Sequence, residues 1–372
     1  SLLAHELREP APGQPLLAAD TVLIPQVAMR RWLQSTLAAE YGIAANLEFL
    51  TPGEFVARAL KRNVPGEQDD LGAAGLHWRL YAALTDEALM RQPAMAGLRA
   101  YLHGDDPLRP WSLAGELGGV FEKYQAWRRD WLLRWEAGAD ADDPQAILWR
   151  RIAGGGQHRA RRISDYLARF EGAGQPLPQG LPSRLFAFAT LNVSPDVLRV
   201  IATQARVGTL HFYLPTPTRA YWGDLQTLAE KLRGGSTDPF GEAAAENPLL
   251  QAWGAAGRDF MAVLGSYEVV HPTGEIAAYA DPEQHAREGD ALRDSLLHRL
   301  QADLFHRRAQ PATPLRETLR LDDPSLQVHA CHTRLREMQV LHDQLRALLD
   351  DTRFNPPLQP RDIAVLAPDI DR

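Results

Sequence analysis

Lysine is almost missing from this chain, and its scarcity removes one chemistry at once. The only lysines are Lys61, Lys123 and Lys231. None follows a glycine, so the Gly-Lys-Ser/Thr loop that carries a lysine to the β and γ phosphates of a nucleotide is not present. Cysteine is rarer still. Cys331 stands alone, which excludes an internal disulfide and points to a reducing compartment, with cytoplasm as the expected location. No window approaches the roughly 18 uninterrupted apolar residues of a membrane helix, and no signal-peptide pattern opens the chain, so no membrane partner is expected. His5-Glu6 lacks the second histidine of a zinc protease, and the scattered histidines show no ligand spacing. Asp69-Asp70 and Asp142-Asp143 sit in turn-like, proline-flanked stretches and read as surface loops. A two-metal nuclease needs a carboxylate cluster beside a lysine, and no Glu-x-Lys follows Pro195-Asp196. No catalytic group, cofactor, metal or small-molecule substrate of this chain's own is expected.

What is present describes a folded, arginine-charged protein. At 372 residues with 45% hydrophobic content and 9 tryptophans, the chain has material for two or three domains with separate cores. The net charge of -7 argues against indiscriminate nucleic-acid binding. The positive charge is nevertheless uneven: between residues 123 and 169 arginine and lysine outnumber the acids, with Trp127, Trp131, Trp135 and Trp149 interleaved. Arginine contacts phosphates and guanine edges, and aromatic faces stack on unpaired bases. The spacing of four between Trp127, Trp131 and Trp135 fits a buried helical stripe better, with the arginines solvated on the opposite face.

The apolar periodicity divides the chain into four blocks. Residues 1–62 read as helix, strand, helix, strand: a strand Thr21 to Ile24, a turn at Pro25-Gln26, an amphipathic helix Met29 to Tyr41 and a strand Asn46 to Phe49. Thr51-Pro52-Gly53-Glu54 then has the form of a capping box with proline at the first helical position. Residues 63–178 read as wholly helical, with Leu76, Leu80 and Leu84, then Leu117, Val120, Phe121 and Tyr124, at helical spacing. In 179–324 strands return. Leu185-Phe-Ala-Phe-Ala189 and Leu210-His-Phe-Tyr-Leu214 flank an amphipathic helix at Val197, Leu198, Ile201, Ala202 and Ala205, the unit of a buried parallel sheet, and a further helix runs from Asn247 to Leu264. Residues 325–372 suggest the start of another α/β domain: a strand Leu326 to Cys331, with Cys331 as a small buried hydrophobe, a helix Leu335 to Leu349 and a strand Ile363 to Leu366. In a nucleotide-hydrolysing core, a strand placed like Leu185 to Ala189 ends in an acidic pair that holds Mg²⁺; here it runs into Thr190-Leu191-Asn192, with no carboxylate before Asp196.

This order of segments resembles the superfamily 1 helicases. Thr21 to Leu33 sits where those proteins carry a DNA-gripping strand, loop and helix, Asn46 to Phe55 where the next DNA-contacting segment lies, and Leu185 to Asn192 where Mg²⁺ is held. Leu214 to Asp224 matches the loop that senses γ-phosphate. More specific runs are Tyr41-Gly-Ile-Ala-Ala-Asn46, Trp127-Arg-Arg-Asp-Trp131, Gly180-Leu-Pro-Ser-Arg184, Arg219-Ala-Tyr-Trp-Gly-Asp224, Asn247 to Gly254 with Gly257-Arg-Asp259, and Pro360-Arg-Asp-Ile363. These are similar to the RecC family, the gamma subunits of exodeoxyribonuclease V, across essentially the whole chain.

The resemblance implies an α/β fold: a RecA-like parallel-sheet domain of the superfamily 1 helicase type, interrupted by an all-helical insertion and followed by the start of a second α/β domain. It implies a non-catalytic subunit that has lost ATP hydrolysis, channels unwound single-stranded DNA and reads the Chi sequence in double-strand break repair. ATP and Mg²⁺ would be bound by partner subunits, RecB-like and RecD-like, around single-stranded and forked double-stranded DNA. Carried over residue by residue, the channel positions fall on Pro25, Val27, Arg31, Thr51, Gly119, Val120, Glu122, Lys123, Arg128 and Arg159. Three readings stand at this point: a DNA-channel module, an ATP-driven helicase, and a scaffold that binds motor subunits without touching DNA.

Overall fold

The computed structural model describes residues 2–11, 13–15, 17–67, 71–104, 106–189, 193–226, 233–234, 246–266, 274, 276–285, 295–309 and 323–367. Thr190 to Asn192, Asp69-Asp70 and Lys231 therefore lie outside the described residues. Two compact units divide at Tyr279 and Ala280.

The first unit is built on four parallel strands, β1 (Asp20–Leu23), β2 (Leu47–Leu50), β3 (Arg184–Phe188) and β4 (Thr209–Tyr213), in the order β2-β1-β3-β4. Side chains alternate across this sheet with the period of two that strands impose. Val22, Ile24 and Phe186 pack with Leu3 and Ala4 of α1 (Leu2–Glu6) and Leu33 and Leu37 of α2 (Met29–Tyr41). Leu23, Leu185 and Ala187 turn the other way, onto Phe55, Val56, Ala59 and Leu60 of α3 (Pro52–Asn63). The helix-linked strands are parallel because a crossover through a helix returns the chain to the same edge. Arg184 locks β3 to β1: its guanidinium donates to both Asp20 carboxylate oxygens at 2.9 and 3.0 Å and to the carbonyls of Glu6 and Glu9.

Between α3 and β3 the described residues form helices and no strand. These are α4 (Ala73–Leu84), α5 (Glu87–Met90), α6 (Ala96–Leu102), α7 (Arg109–Trp127), α8 (Arg129–Glu136), α9 (Pro144–Ala153) and α10 (Arg159–Phe170). Leu76, Leu80, Phe121, Leu148 and Trp149 share a core that runs from Leu71 to Ala160. Helix α10 belongs to both regions, because Ile163, Tyr166, Leu167 and Phe170 enter the sheet core with α3 and with α11 (Pro195–Ala202). Its Arg162, buried at 2% exposure, donates to the carbonyls of Leu60, Val64, Pro65 and Gly66. Those acceptors lie in the last turn of α3 and just beyond it, where helical carbonyls run out of backbone donors; that of Leu60 also accepts from Val64 N–H. Asn63 and Gln179 clip the entrance and exit of the helical stretch: the Asn63 amide donates to the Gln179 carbonyl at 3.0 Å, and Gln179 N–H donates back at 2.7 Å.

Beyond β4, the expected helix Asn247 to Leu264 is two, α12 (Pro248–Trp253) and α13 (Ala255–Ser266), with Asn247 capping the first and the break at Gly254. The second unit holds α14 (Pro282–His285), α15 (Leu296–Phe305) and α16 (Arg334–Leu349). The strands expected at Leu326 to Cys331 and Ile363 to Leu366 are not formed among the described residues. A strand exists only where a neighbour takes up its N–H and C=O groups, and here Val328 and Leu366 are 91% and 93% exposed. Cys331 is accordingly half-exposed rather than a buried hydrophobe.

Candidate nucleic-acid interface

In a parallel sheet every strand ends at one edge, and ligands of open α/β sheets bind outside that edge where the connections diverge. Here β1 leads to β2 on one side and β3 leads to β4 on the other, so the divergence lies between β1 and β3. The structure brings four of the expected residues to this edge. Pro25 and Val27 follow β1 directly, Arg31 lies in the first turn of α2, and Thr51 follows β2. Pro25, Val27 and Arg31 are exposed. Thr51 has a structural duty, since its hydroxyl accepts from Glu54 N–H at 3.2 Å and donates to the Glu54 carboxylate at 2.9 Å, completing the capping box. That contact with the Thr51 backbone and hydroxyl holds the Glu54 carboxyl below its usual range. Trp32, 56% exposed with its ring 6.3 Å from that of Phe188, belongs to the same edge and was not singled out by the sequence.

The remaining positions lie on the helical stretch. Gly119, Glu122 and Lys123 are exposed on α7 and Val120 is half-buried. Arg128 occupies the break between α7 and α8, is exposed, and holds its guanidinium 5.2 Å from the centre of the Trp131 ring. Its neighbour Arg129 ties this junction to the sheet by an ion pair with Asp196 at 2.9 Å, in the first turn of α11. Helix α11 follows β3, so the junction is held near the edge that carries Pro25 and Thr51. Burial raises the Asp196 carboxyl, and Arg129 and Arg199 oppose it. Arg159 opens α10, half-buried; burial depresses its guanidinium, and Glu122 acts in the other direction. Among the described residues Arg31, Lys123 and Arg159 form no ion pair within 4 Å, Arg159 feeling Glu122 only at longer range.

The buried tryptophan stripe expected from the spacing is only partly formed. Trp135 is buried, but Trp127 and Trp131 are 47% and 41% exposed. The chain bends at Arg128, whose backbone (φ -134°, ψ 37°) leaves the helical region, so the register of four does not carry across two helices. Trp149 is buried and donates from Nε1 to Glu136 at 2.9 Å. The same carboxylate takes His158 Nε2 at 2.5 Å and pairs with Arg161. His158 Nδ1 accepts from Arg161 N–H, which leaves the proton on Nε2. Although burial opposes it, this convergence lowers the Glu136 carboxyl to about 2. Neither this network nor Arg162 was visible in the sequence, because their partners lie far along the chain.

Other motifs are structural. Asp143 caps α9 through Gln145 N–H at 2.7 Å, and in Tyr221-Trp222-Gly223-Asp224 the indole of Trp222 is buried while Tyr221 is exposed. In the second unit Asp281, Glu283 and His306 converge within 4.8 Å, with His306 Nε2 at 3.2 Å from Asp281 and 3.3 Å from Glu283. Arg308 pairs with the same Glu283 at 2.7 Å and with Asp303 at 3.2 Å. No helix among the described residues is long and apolar enough to cross a membrane.

These features define a parallel α/β protein whose strand-end edge adjoins a basic, aromatic helix junction. The chain belongs to the RecC N-terminal domain family, which it matches over residues 1–307. It is 30% identical over 402 residues to the RecBCD enzyme subunit RecC of Escherichia coli (strain K12), covering 95% of this chain and 34% of that protein. The RecBCD enzyme subunits RecC of Haemophilus influenzae and Mycobacterium tuberculosis (strain H37Rv) are 26% and 29% identical, covering 95% and 98% of this chain and 36% and 33% of theirs. The chain thus spans about a third of the length of the curated relatives it matches.

Proposed function

We propose that this chain is the amino-terminal part of a non-catalytic subunit of a RecBCD-type helicase-nuclease in DNA repair, and that it guides unwound single-stranded DNA. In this reading the parallel sheet is a helicase-like domain that no longer hydrolyses ATP, the helices from α4 to α10 are an insertion in it, and residues 325–372 begin a second such domain. ATP and Mg²⁺ belong to RecB-like and RecD-like partners. Pro25, Val27, Arg31, Thr51, Gly119, Val120, Glu122, Lys123, Arg128 and Arg159 line the path of the strand, and the same path reads Chi.

The observation that carries the reading is the trio of cations without an ion pair, Arg31, Lys123 and Arg159, together with exposed Arg128. A cation left unpaired beside a half-buried surface is poised for phosphate, and each phosphate neutralised on a single strand contributes about 0.7 to the slope of log K against log salt. Titration of labelled single-stranded DNA with the full chain across a range of salt tests it. Arg31→Ala and Arg128→Ala are each expected to weaken binding and flatten that slope. Unchanged affinity and slope in both variants would move the assignment to a scaffold that binds partner subunits without contacting DNA.

A further inference from the structure

Helix α7 presents a continuous exposed row along one side. Gly119, Lys123 and Trp127 are spaced by four, so they stack along one helix face, and all are exposed. A Cβ added at Gly119 would meet nothing within 4 Å, so the row begins with open space against bare backbone. It ends at Trp127; past the Arg128 break, Trp131 on α8 is a second exposed indole. There Tyr124 and Trp135 support the indole from within, with ring centres 5.8 and 6.3 Å away, and Arg128 lies 5.2 Å from its centre. Trp127 and Trp131 are 47% and 41% exposed, whereas Phe121 of α7 and Trp135 of α8 are buried.

The charge around the two rings selects the occupant. Lys123, Arg128 and Arg129 flank them, with Glu122 and Asp130 as the acids on the same segment. Arg129 is engaged with both Asp130 and Asp196. Lys123 and Arg128 remain for an anionic partner. Two exposed indoles bordered by cations suit a single strand, whose bases offer faces to the rings and whose phosphates offer charge to the cations. Exposed tryptophan and arginine also anchor protein interfaces, and partner assembly by the ring variants is the outcome that distinguishes that occupant.

We propose that Trp127 and Trp131 form a stacking platform for unpaired bases, with Arg128 and Lys123 holding the flanking phosphates. This deepens the DNA-guiding reading and rests on it. The platform is tolerant of sequence, because every base has a stacking face; it grips the strand and does not read it. Its place at the α7–α8 junction means that the strand is held where Arg129 anchors the helices to α11.

The test is equilibrium binding of the full chain to two single-stranded oligonucleotides of equal length, one carrying bases throughout and one carrying a central run of abasic residues. Phosphate contacts are common to both probes, so only stacking separates them. The wild-type chain is expected to prefer the complete strand by roughly 5- to 100-fold per stacked base. Trp127→Leu and Trp131→Leu should each reduce that preference, and Trp131→Phe should retain most of it, since leucine fills space but does not stack. Equal wild-type affinity for the two probes, or a phenylalanine variant as weak as the leucine one, would overturn the platform while leaving salt-dependent binding intact. Loss of salt-dependent binding by the wild-type chain would instead remove the DNA-guiding reading itself. Trp127→Leu and Trp131→Leu variants that keep their preference for bases but no longer assemble with partner subunits would show the rings to be a protein contact and sink the proposal.

Discussion

Replacement of Glu136 by glutamine isolates the largest electrostatic convergence in the helical region. The carboxylate ends α8, takes hydrogen bonds from Trp149 of α9 and from His158, the cap of α10, and pairs with Arg161 of α10. Its folded pKa of about 2, against 4.5 when free, corresponds to about 3 kcal/mol of preferential stabilisation of the charged form. Because the folded value is depressed, that stabilisation is fully present above about pH 4.5 and is lost as pH falls through the interval down to 2. Glu136→Gln keeps an acceptor for Trp149 but removes the charge facing Arg161. At pH 7 the variant should open its α8–α10 region more easily by about 3 kcal/mol in hydrogen-exchange protection. The penalty should shrink steadily below pH 4.5, since the unfolded wild-type chain then gains a proton that the folded carboxylate still refuses, down to about pH 2. Equal penalties at pH 7 and pH 3, or a pH 7 penalty under about 1 kcal/mol, would refute the argument.

Two further outcomes are expected. Arg162→Met keeps the apolar volume but leaves the carbonyls of Leu60, Val64, Pro65 and Gly66 without their buried donor, and should cost roughly 3 kcal/mol in urea denaturation; a cost below about 1 would mean water replaces the guanidinium easily. Gly119→Ala should raise the melting temperature, with a gain of about 0.5–1 kcal/mol, because the site is helical and an added methyl meets no neighbour. A lower melting temperature would mean that the α7 surface is not as open as described.

Much of the first unit was legible because its signals are local. The helix Met29–Tyr41 has the expected bounds, the capping box at Thr51 has the expected hydrogen bonds, and the four strands fall within one residue of their apolar runs. Leu76, Leu80 and Leu84 are buried as their spacing requires. What escaped was tertiary. Periodicity carried a single helix from Trp127 to Trp135 because nothing in the residues themselves announces the bend at Arg128. The runs at Leu326 and Ile363 have strand composition, but composition does not supply a neighbouring strand, and exposure decided against them. At the candidate interface, Arg31 and Arg128 were named from family placement. Trp32 and the open rings at Trp127 and Trp131 could be found only once exposure was known.

The pairing of β1 with β3 has a kinetic side. Arg184 and Asp20, which join these strands, are 164 residues apart, so a sheet zipped directly from an unfolded chain would have to close a very large loop. The reciprocal hydrogen bonds between Asn63 and Gln179 shorten that route. Once the helices between them have condensed on their own core, those two residues stand side by side, and β3 is delivered to β1 as though the intervening segment were a short turn. Loop-closure entropy therefore favours a route in which the helices, with their mostly local contacts, form before the centre of the sheet.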